Sequence, residues 1–168
     1  MTSFKIGIQG RFLDHPYTGI GQYTCGLLDE FIEPQKADKY EFFVVRPQKK
    51  IINGFQRHVF EQHEAMAFFQ QQKVDLIHFP YPAHPWRVLS IPTIVTVHDV
   101  IPWIFPSYRS GIFSSLAHSF AKRAIHYASR IVTVSEFSKQ EIIRVCGVVP
   151  EKIHVIYEGV HPEIGLPL

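Results

Sequence analysis

Short apolar runs alternate with helix-like segments along most of the 168-residue chain. The clearest run is Thr93–Val97, in which every residue is β-branched, as is typical of a strand covered on both faces. Strands that alternate with helices form right-handed βαβ units, and such units build a parallel sheet. The sequence therefore predicts one α/β domain with a mostly parallel sheet. Its predicted strands are Phe4–Gly10, Tyr40–Val45, Asp75–Phe79, Thr93–Val97, Arg130–Val134 and Ile153–Ile156.

Helical periodicity fills most of the intervals between these runs. The first predicted helix begins at about Ile20 and stops at Pro34, and a long helix covers about 108–128. Between the second and third main strands, the pattern favours a short extra strand near 58–60, followed by a helix through 68–69. The last helix begins at a serine, either Ser135 or Ser138, and ends near Gly147. Ser138 has a glutamate three residues later, as a capping box requires.

Composition excludes several classes of protein. A hydrophobic content of 46% with 19% charged residues is ordinary for a globular chain and excludes a disordered one. The formal net charge of +2 is too small to indicate a nucleic-acid-binding protein. The two cysteines, Cys25 and Cys146, have no metal-like spacing. No apolar run approaches the roughly 18 residues that span a bilayer, and the first residues carry no signal-peptide pattern. We therefore expect a soluble, cytoplasmic domain.

Ligands of parallel α/β sheets bind beyond the carboxyl ends of the strands. The candidate loops are therefore those after Gln9, Phe79, Val97 and Val134. In the first of these loops, the glycines of Thr18–Gly21 let backbone N–H groups approach an anion at the start of a helix. The pattern is not a dinucleotide fingerprint, because Thr24 stands where the third glycine belongs. A purely structural role for Gly19 and Gly21, in a tight turn, remains the alternative.

His98 and Asp99 follow the most buried predicted strand. Titratable side chains are costly to desolvate at such a position, so they usually have a task. A histidine there can donate a hydrogen bond to a substrate hydroxyl or phosphate, and the neighbouring carboxylate can orient a group nearby. The alternative is a core histidine whose hydrogen bonds are satisfied within the protein.

Three other features of the sequence point less specifically to a ligand. Tyr81 and Trp86 lie in a proline-rich loop and could form a stacking wall for a sugar or ring, or simply pack the loop. His78 and His84 lack the cysteines or clustered carboxylates that would make a metal site convincing. The polar face of the long helix could contact anionic lipid, although a solvated face is the simpler explanation. Its basic residues are Lys122, Arg123, His126 and Arg130.

Several segments together resemble a known family. They are similar to the acceptor-side half of GT-B glycosyltransferases, most closely the retaining family 4, or "glycosyl transferases group 1". The resemblance implies a Rossmann-like, three-layer domain that corresponds to the N-terminal half of a GT-B fold. One departure is that Tyr157-Glu158 replaces the more usual Pro-Asn. The segments that carry the resemblance are Phe12–Tyr23, Ile91–Asp99, Val134–Lys139 and Pro150–Val160.

This resemblance implies a function as well as a fold. It implies transfer of a sugar from a nucleotide-sugar donor to a glycan or lipid-linked acceptor in polysaccharide biosynthesis, with mannose as one candidate sugar. The expected location is the cytoplasm, with the inner face of the membrane as the alternative. It implies no metal, no other cofactor and no protein nucleophile. Most donor contacts are expected from a C-terminal domain beyond Leu168, so residues 1–168 alone are expected to be inactive. A non-catalytic ligand-binding module, or a subunit that partners a separate catalytic half, remains the alternative.

The resemblance also assigns roles to residues of the predicted cleft. His98 would lie near the transferred sugar, with Asp99 beside it as the second catalytic candidate. The loop that carries Gly19 and Gly21 would face the donor diphosphate and the acceptor. The remaining donor- and acceptor-binding candidates are Ile20, Tyr23, Tyr81 and Ser135.

Overall fold

A computed structural model describes residues 3–31, 39–83, 89–105, 107 and 112–159. Its sheet has six parallel strands in the order β2-β1-β3-β4-β5-β6, which confirms the predicted α/β architecture and each of the six predicted main strands. The chain reverses its direction of travel across the sheet between β1 and β3, so their carboxyl ends mark a topological switch point. The strands are β1 (Phe4–Gln9), β2 (Tyr40–Val45), β3 (Leu76–Phe79), β4 (Thr93–Thr96), β5 (Arg130–Thr133) and β6 (Ile153–Val155).

Helices lie between most consecutive strands, and a short 3₁₀ turn follows β1 at Arg11–Asp14. The predicted stop of the first helix at Pro34 and the start of the long helix near Tyr108 lie outside the described residues. No helix in the described part of the chain is long and apolar enough to cross a membrane. The helices are α1 (Gly19–Phe31), α2 (Gly54–Val59), α3 (Ala65–Gln72), α4 (Ile101–Ile104), α5 (Ile112–Tyr127) and α6 (Glu136–Cys146).

The extra strand predicted near residues 58–60 is wrong. Residues 54–72 are continuously helical, and a π-helical turn at Phe60–Glu64 joins α2 to α3. Asn53 starts this helical stretch, because its side chain accepts a hydrogen bond from the backbone N–H of Gln56 at 2.9 Å. Phe60, Met66 and Phe69 are buried, and this burial of a helical face outweighs the local strand propensity.

The centre of the sheet is buried on both faces. Ile8, Ile77, Val95 and Ile131 come from four adjacent strands and are completely buried. Phe69 packs so closely on β1 that a Cβ at Gly7 would overlap its ring. Glycine is therefore required at this position of the strand.

The start of α6 is settled in favour of Ser135. Its hydroxyl oxygen accepts a hydrogen bond from the backbone N–H of Ser138 at 3.0 Å. The alternative capping box does not form, because the backbone N–H of Ser138 already donates to Ser135, and Glu141 is paired with Arg144. Gly147 ends the helix in the left-handed conformation (φ 68°), as predicted.

Candidate functional site

Loops from several strands converge on the imidazole of His98, which directly follows the end of β4. Its Nε2 lies 3.1 Å from the backbone carbonyl oxygen of Pro80, after β3. Its Nδ1 lies 3.2 Å from a carboxylate oxygen of Glu158, after β6. Both neighbours are hydrogen-bond acceptors, so the ring satisfies both contacts only when it is protonated on both nitrogens. The side chain is one-fifth exposed, which leaves part of the ring open to a ligand.

The ring of Tyr23, from α1, packs edge-on against His98. The two ring centroids are 4.7 Å apart and the planes meet at 86°. The Tyr23 hydroxyl is 3.1 Å from Oγ1 of Thr96, which lies 2.9 Å from Nε2 of His78. Burial raises the pKa of Tyr23, the hydrogen bond with Thr96 opposes this rise, and the charge of Glu158 adds to it. A short hydrogen-bonded chain therefore fixes the tyrosine beside His98.

His78 is buried within β3 and is held in the neutral form. Burial lowers its pKa to about 4, and the positive charge of His98 contributes to the decrease. Its companion in the metal hypothesis, His84, lies outside the described residues. Within the described ranges, no group of three histidine, cysteine or acidic side chains is arranged to hold a metal ion.

Asp99 and Ser135 lie close to His98 in space. The Asp99 side chain contacts the backbone at the start of α4, and the Ser135 side chain contacts α6. The Asp99 carboxylate accepts a hydrogen bond from the N–H of Ile101 at 2.9 Å, where α4 begins. Ser135 donates to the hydroxyl of Ser138, which in turn donates to the His98 carbonyl oxygen at 3.0 Å. The carboxylate that faces the imidazole is therefore that of Glu158, which the sequence argument did not identify.

The two glycines at the start of α1 have different surroundings. A Cβ at Gly21 would overlap the carbonyl oxygen of His15, so this glycine is explained by a close backbone approach. A Cβ at Gly19 would have no neighbour within 4 Å. Ile20 packs against the core through its side chain, which leaves its backbone for any contact with a ligand. The tight-turn alternative thus accounts for Gly21 but not for Gly19.

Tyr81 is buried rather than exposed as a stacking surface. Its hydroxyl donates to Glu61 at 2.9 Å and accepts from the side-chain amide of Gln9 at 2.6 Å. Burial, together with the charge of Glu61, raises its pKa well above the usual value. The ring of Phe12 packs edge-on at 4.8 Å. These contacts favour the loop-packing alternative for Tyr81, while Trp86 lies outside the described residues.

A six-stranded parallel sheet with polar side chains gathered at its carboxyl edge defines a Rossmann-like α/β domain, a class of fold whose ligands generally bind beyond the strand ends. The family model described as Glycosyltransferase Family 4 matches residues 30–164, and the chain belongs to this family. This match confirms the resemblance found in the sequence. None of the curated proteins compared with the chain matches it.

Proposed function

We propose that this domain forms the acceptor-side wall of a retaining glycosyltransferase that uses a nucleotide-sugar donor, with His98 as the catalytic residue nearest the transferred sugar. Membership of the family supports glycosyl transfer. The observation that carries the assignment of His98 is the placement of its ring at the carboxyl end of β4, between acceptors supplied by two other elements.

The two nitrogens of His98 have different surroundings, which suggests different tasks. Nε2 donates to the Pro80 carbonyl and so fixes the orientation of the ring. Nδ1 faces Glu158, whose side chain is about half exposed. A contact made by a half-exposed carboxylate contributes little stability, so an incoming ligand can displace the carboxylate at small cost. Nδ1 is therefore the atom that we assign to a sugar hydroxyl or a phosphate oxygen.

The neighbouring residues support this assignment through positioning. Tyr23 covers one side of the imidazole and is itself held by Thr96. The open space at Gly19 leaves the first turn of α1 accessible, and a helix N-terminus favours an anion such as the donor diphosphate. In the proposed reaction the leaving diphosphate assists the acceptor hydroxyl, while His98 stabilises the developing charge. Most donor contacts are assigned to a second domain of the complete transferase.

The test compares His98→Ala with His154→Ala in the complete transferase. His154 is an exposed histidine on β6 and serves as the matched control. Loss of one positioned transition-state donor is expected to lower transfer by roughly 10²–10³-fold. Stability is expected to fall by only about 1 kcal/mol, as for a polar cleft residue.

A large loss in the urea midpoint with normal activity per folded molecule would instead make His98 a structural residue. Binding of a nucleotide sugar without any transfer would favour the non-catalytic module.

A further inference from the structure

A second cleft opens at the same edge of the sheet, beyond the carboxyl ends of β1 and β2. It has a volume of about 560 Å³ and lies between the segment that follows β1 and the segment that follows β2. The dipeptide Pro80-Tyr81 lies between this cleft and His98. The carbonyl of Pro80 contacts His98, and the ring of Tyr81 lies 5.8 Å from the guanidinium of Arg11, which lines the cleft.

The lining of this cleft is strongly basic for a chain of this composition. It contains three permanent cations, Arg11, Lys49 and Lys50, against the single carboxylate of Asp14. Its formal charge of +2 therefore equals the formal net charge of the whole chain. A concave surface with this charge favours a small, doubly charged anion, and a phosphate group carries about −1.5 to −2 at neutral pH.

Arg11 differs from the two lysines because its side chain is held in place. Its Nη1 lies 3.4 Å from a carboxylate oxygen of Glu61, and its guanidinium lies 4.8 Å from the centroid of the Phe12 ring. The side chain is only 18% exposed. A fixed guanidinium loses little entropy on binding and presents several N–H donors in a planar fork, which matches phosphate oxygens.

The partner of Arg11 is held by an unusual piece of backbone. Glu61 lies in the π-helical turn between α2 and α3, and such turns occur frequently at functional sites. The carboxylate of Glu61 accepts the hydroxyl hydrogen of Tyr81, whose oxygen accepts from Gln9. Burial raises the pKa of Glu61, whereas Arg57, Tyr81 and Arg11 lower it. A largely buried carboxylate is costly without such partners, and in this network its evident effect is to fix Arg11 at the cleft.

We propose that this cleft binds a phosphate or diphosphate group, with Arg11 as the fixed donor and Lys49 and Lys50 as mobile cations. The next residues of the chain carry exposed apolar side chains, Ile52 at 74% and Phe55 at 75%. The phosphate can therefore belong to a soluble ligand or to a lipid headgroup whose apolar part contacts these side chains. The site is separate from the His98 assignment and requires no transfer step.

The test titrates the ¹⁵N-labelled chain with inorganic pyrophosphate and, in a parallel arm, measures co-sedimentation with phosphatidylcholine vesicles with and without phosphatidylglycerol. Saturable amide shifts are expected in residues 11–15 and 48–51. The double variant Lys49→Ala/Lys50→Ala is expected to weaken binding about tenfold or more. Arg11→Lys keeps the charge but loses the fork, so it should also weaken binding. A thermal melt of each variant checks that it is folded.

The control variant Arg123→Gln/Arg130→Gln removes the same charge from two exposed residues elsewhere, Arg123 on α5 and Arg130 at the start of β5, where the structure places it instead of on the long helix. This variant should bind like the unmodified chain. Binding to pyrophosphate identifies a soluble ligand, and binding only to phosphatidylglycerol vesicles identifies a lipid headgroup. Either result supports the proposal if it depends on Lys49 and Lys50. Equal weakening in the control, shifts centred on residues 19–21, or no binding in both arms would overturn it. A failed transfer assay leaves this result intact, and a failed titration leaves the His98 proposal intact.

Discussion

A carboxylate oxygen of Glu158 lies 3.2 Å from Nδ1 of His98, although 60 positions separate the two residues in the chain. The contact joins the loop after β4 to the segment after β6, across the intervening strand β5. Glu158 also belongs to the pair Tyr157-Glu158, which stands where the resemblance to the family leads one to expect Pro-Asn. Glu158 therefore occupies the nitrogen of His98 that is proposed to contact the substrate.

Replacement of Glu158 by Gln should have little effect on stability. The carboxylate is about half exposed, and an exposed ion pair contributes about 0–1 kcal/mol. The urea midpoint should therefore change no more than in the control Glu151→Gln, which alters another exposed glutamate. If Glu158 competes with substrate for Nδ1, the same variant should bind a phosphate-containing donor at least as tightly as the unmodified chain. Weaker binding would show that Glu158 assists the ligand instead.

Tyr23→Phe separates the ring of Tyr23 from its hydroxyl. The edge-on contact with His98 is retained, whereas the hydrogen bond to Thr96 is lost. One hydrogen bond of this kind contributes about 0.5–1.5 kcal/mol, so the free energy of unfolding should fall by about that amount. Tyr157→Phe is the control, because Tyr157 is largely exposed and its hydroxyl should contribute much less. Equal effects of the two substitutions in urea unfolding would show that the Thr96 contact has no energetic importance.

His78 should make the domain sensitive to acid. Its pKa is lowered to about 4 in the folded protein from 6.5, so between these values the unfolded chain binds more protons than the folded one. Stability from this residue is therefore fully present above pH 6.5 and is lost as the pH falls towards 4. The pKa difference corresponds to a loss of about 3 kcal/mol.

The measurement compares unfolding free energies from pH 7.5 to pH 4.5 for the unmodified chain, His78→Gln and His154→Gln. Glutamine can keep a hydrogen bond to Thr96 but does not titrate, so its pH profile should be flatter than that of the other two proteins. The difference between profiles isolates His78 from the carboxylates, which titrate in the same range. Parallel profiles for all three proteins would mean that His78 does not determine acid sensitivity.

The sequence predicted the sheet well because its information is local. Runs such as Thr93–Val97 are rich in β-branched residues, and the end of each run falls at the ligand-binding edge in any parallel sheet. This reasoning placed His98 correctly beyond the carboxyl end of β4. It failed at residues 58–60, where a buried helical face that includes Phe60 and Phe69 decides the structure.

The partners of the site could not be predicted in the same way. The contact of His98 with Glu158 and the chain from Tyr23 through Thr96 to His78 depend on which strands are neighbours in the sheet. Strand order is a property of the assembled fold, and no local pattern encodes it. A burial argument alone could have suggested His78, because a histidine inside an apolar strand needs a hydrogen-bond partner.

Gly19 and Gly21 provide a last test, in which the same substitution should have opposite consequences at two positions in one turn of α1. A Cβ at Gly21 would overlap the backbone carbonyl of His15, and backbone atoms cannot move aside as a flexible side chain can. Gly21→Ala should therefore destabilise the domain by about 1–3 kcal/mol, as overpacking typically does. Gly19→Ala meets nothing within 4 Å and replaces a glycine in a helix, so stability should be unchanged or rise by up to about 1 kcal/mol. Urea unfolding of both variants measures these changes.

If Gly19 leaves room for a donor diphosphate, Gly19→Ala should also weaken the binding of a nucleoside diphosphate while the fold remains intact. Unchanged binding in Gly19→Ala would remove Gly19 from the proposed site, and an unaltered stability in Gly21→Ala would show that the turn at His15 can shift to accept a side chain.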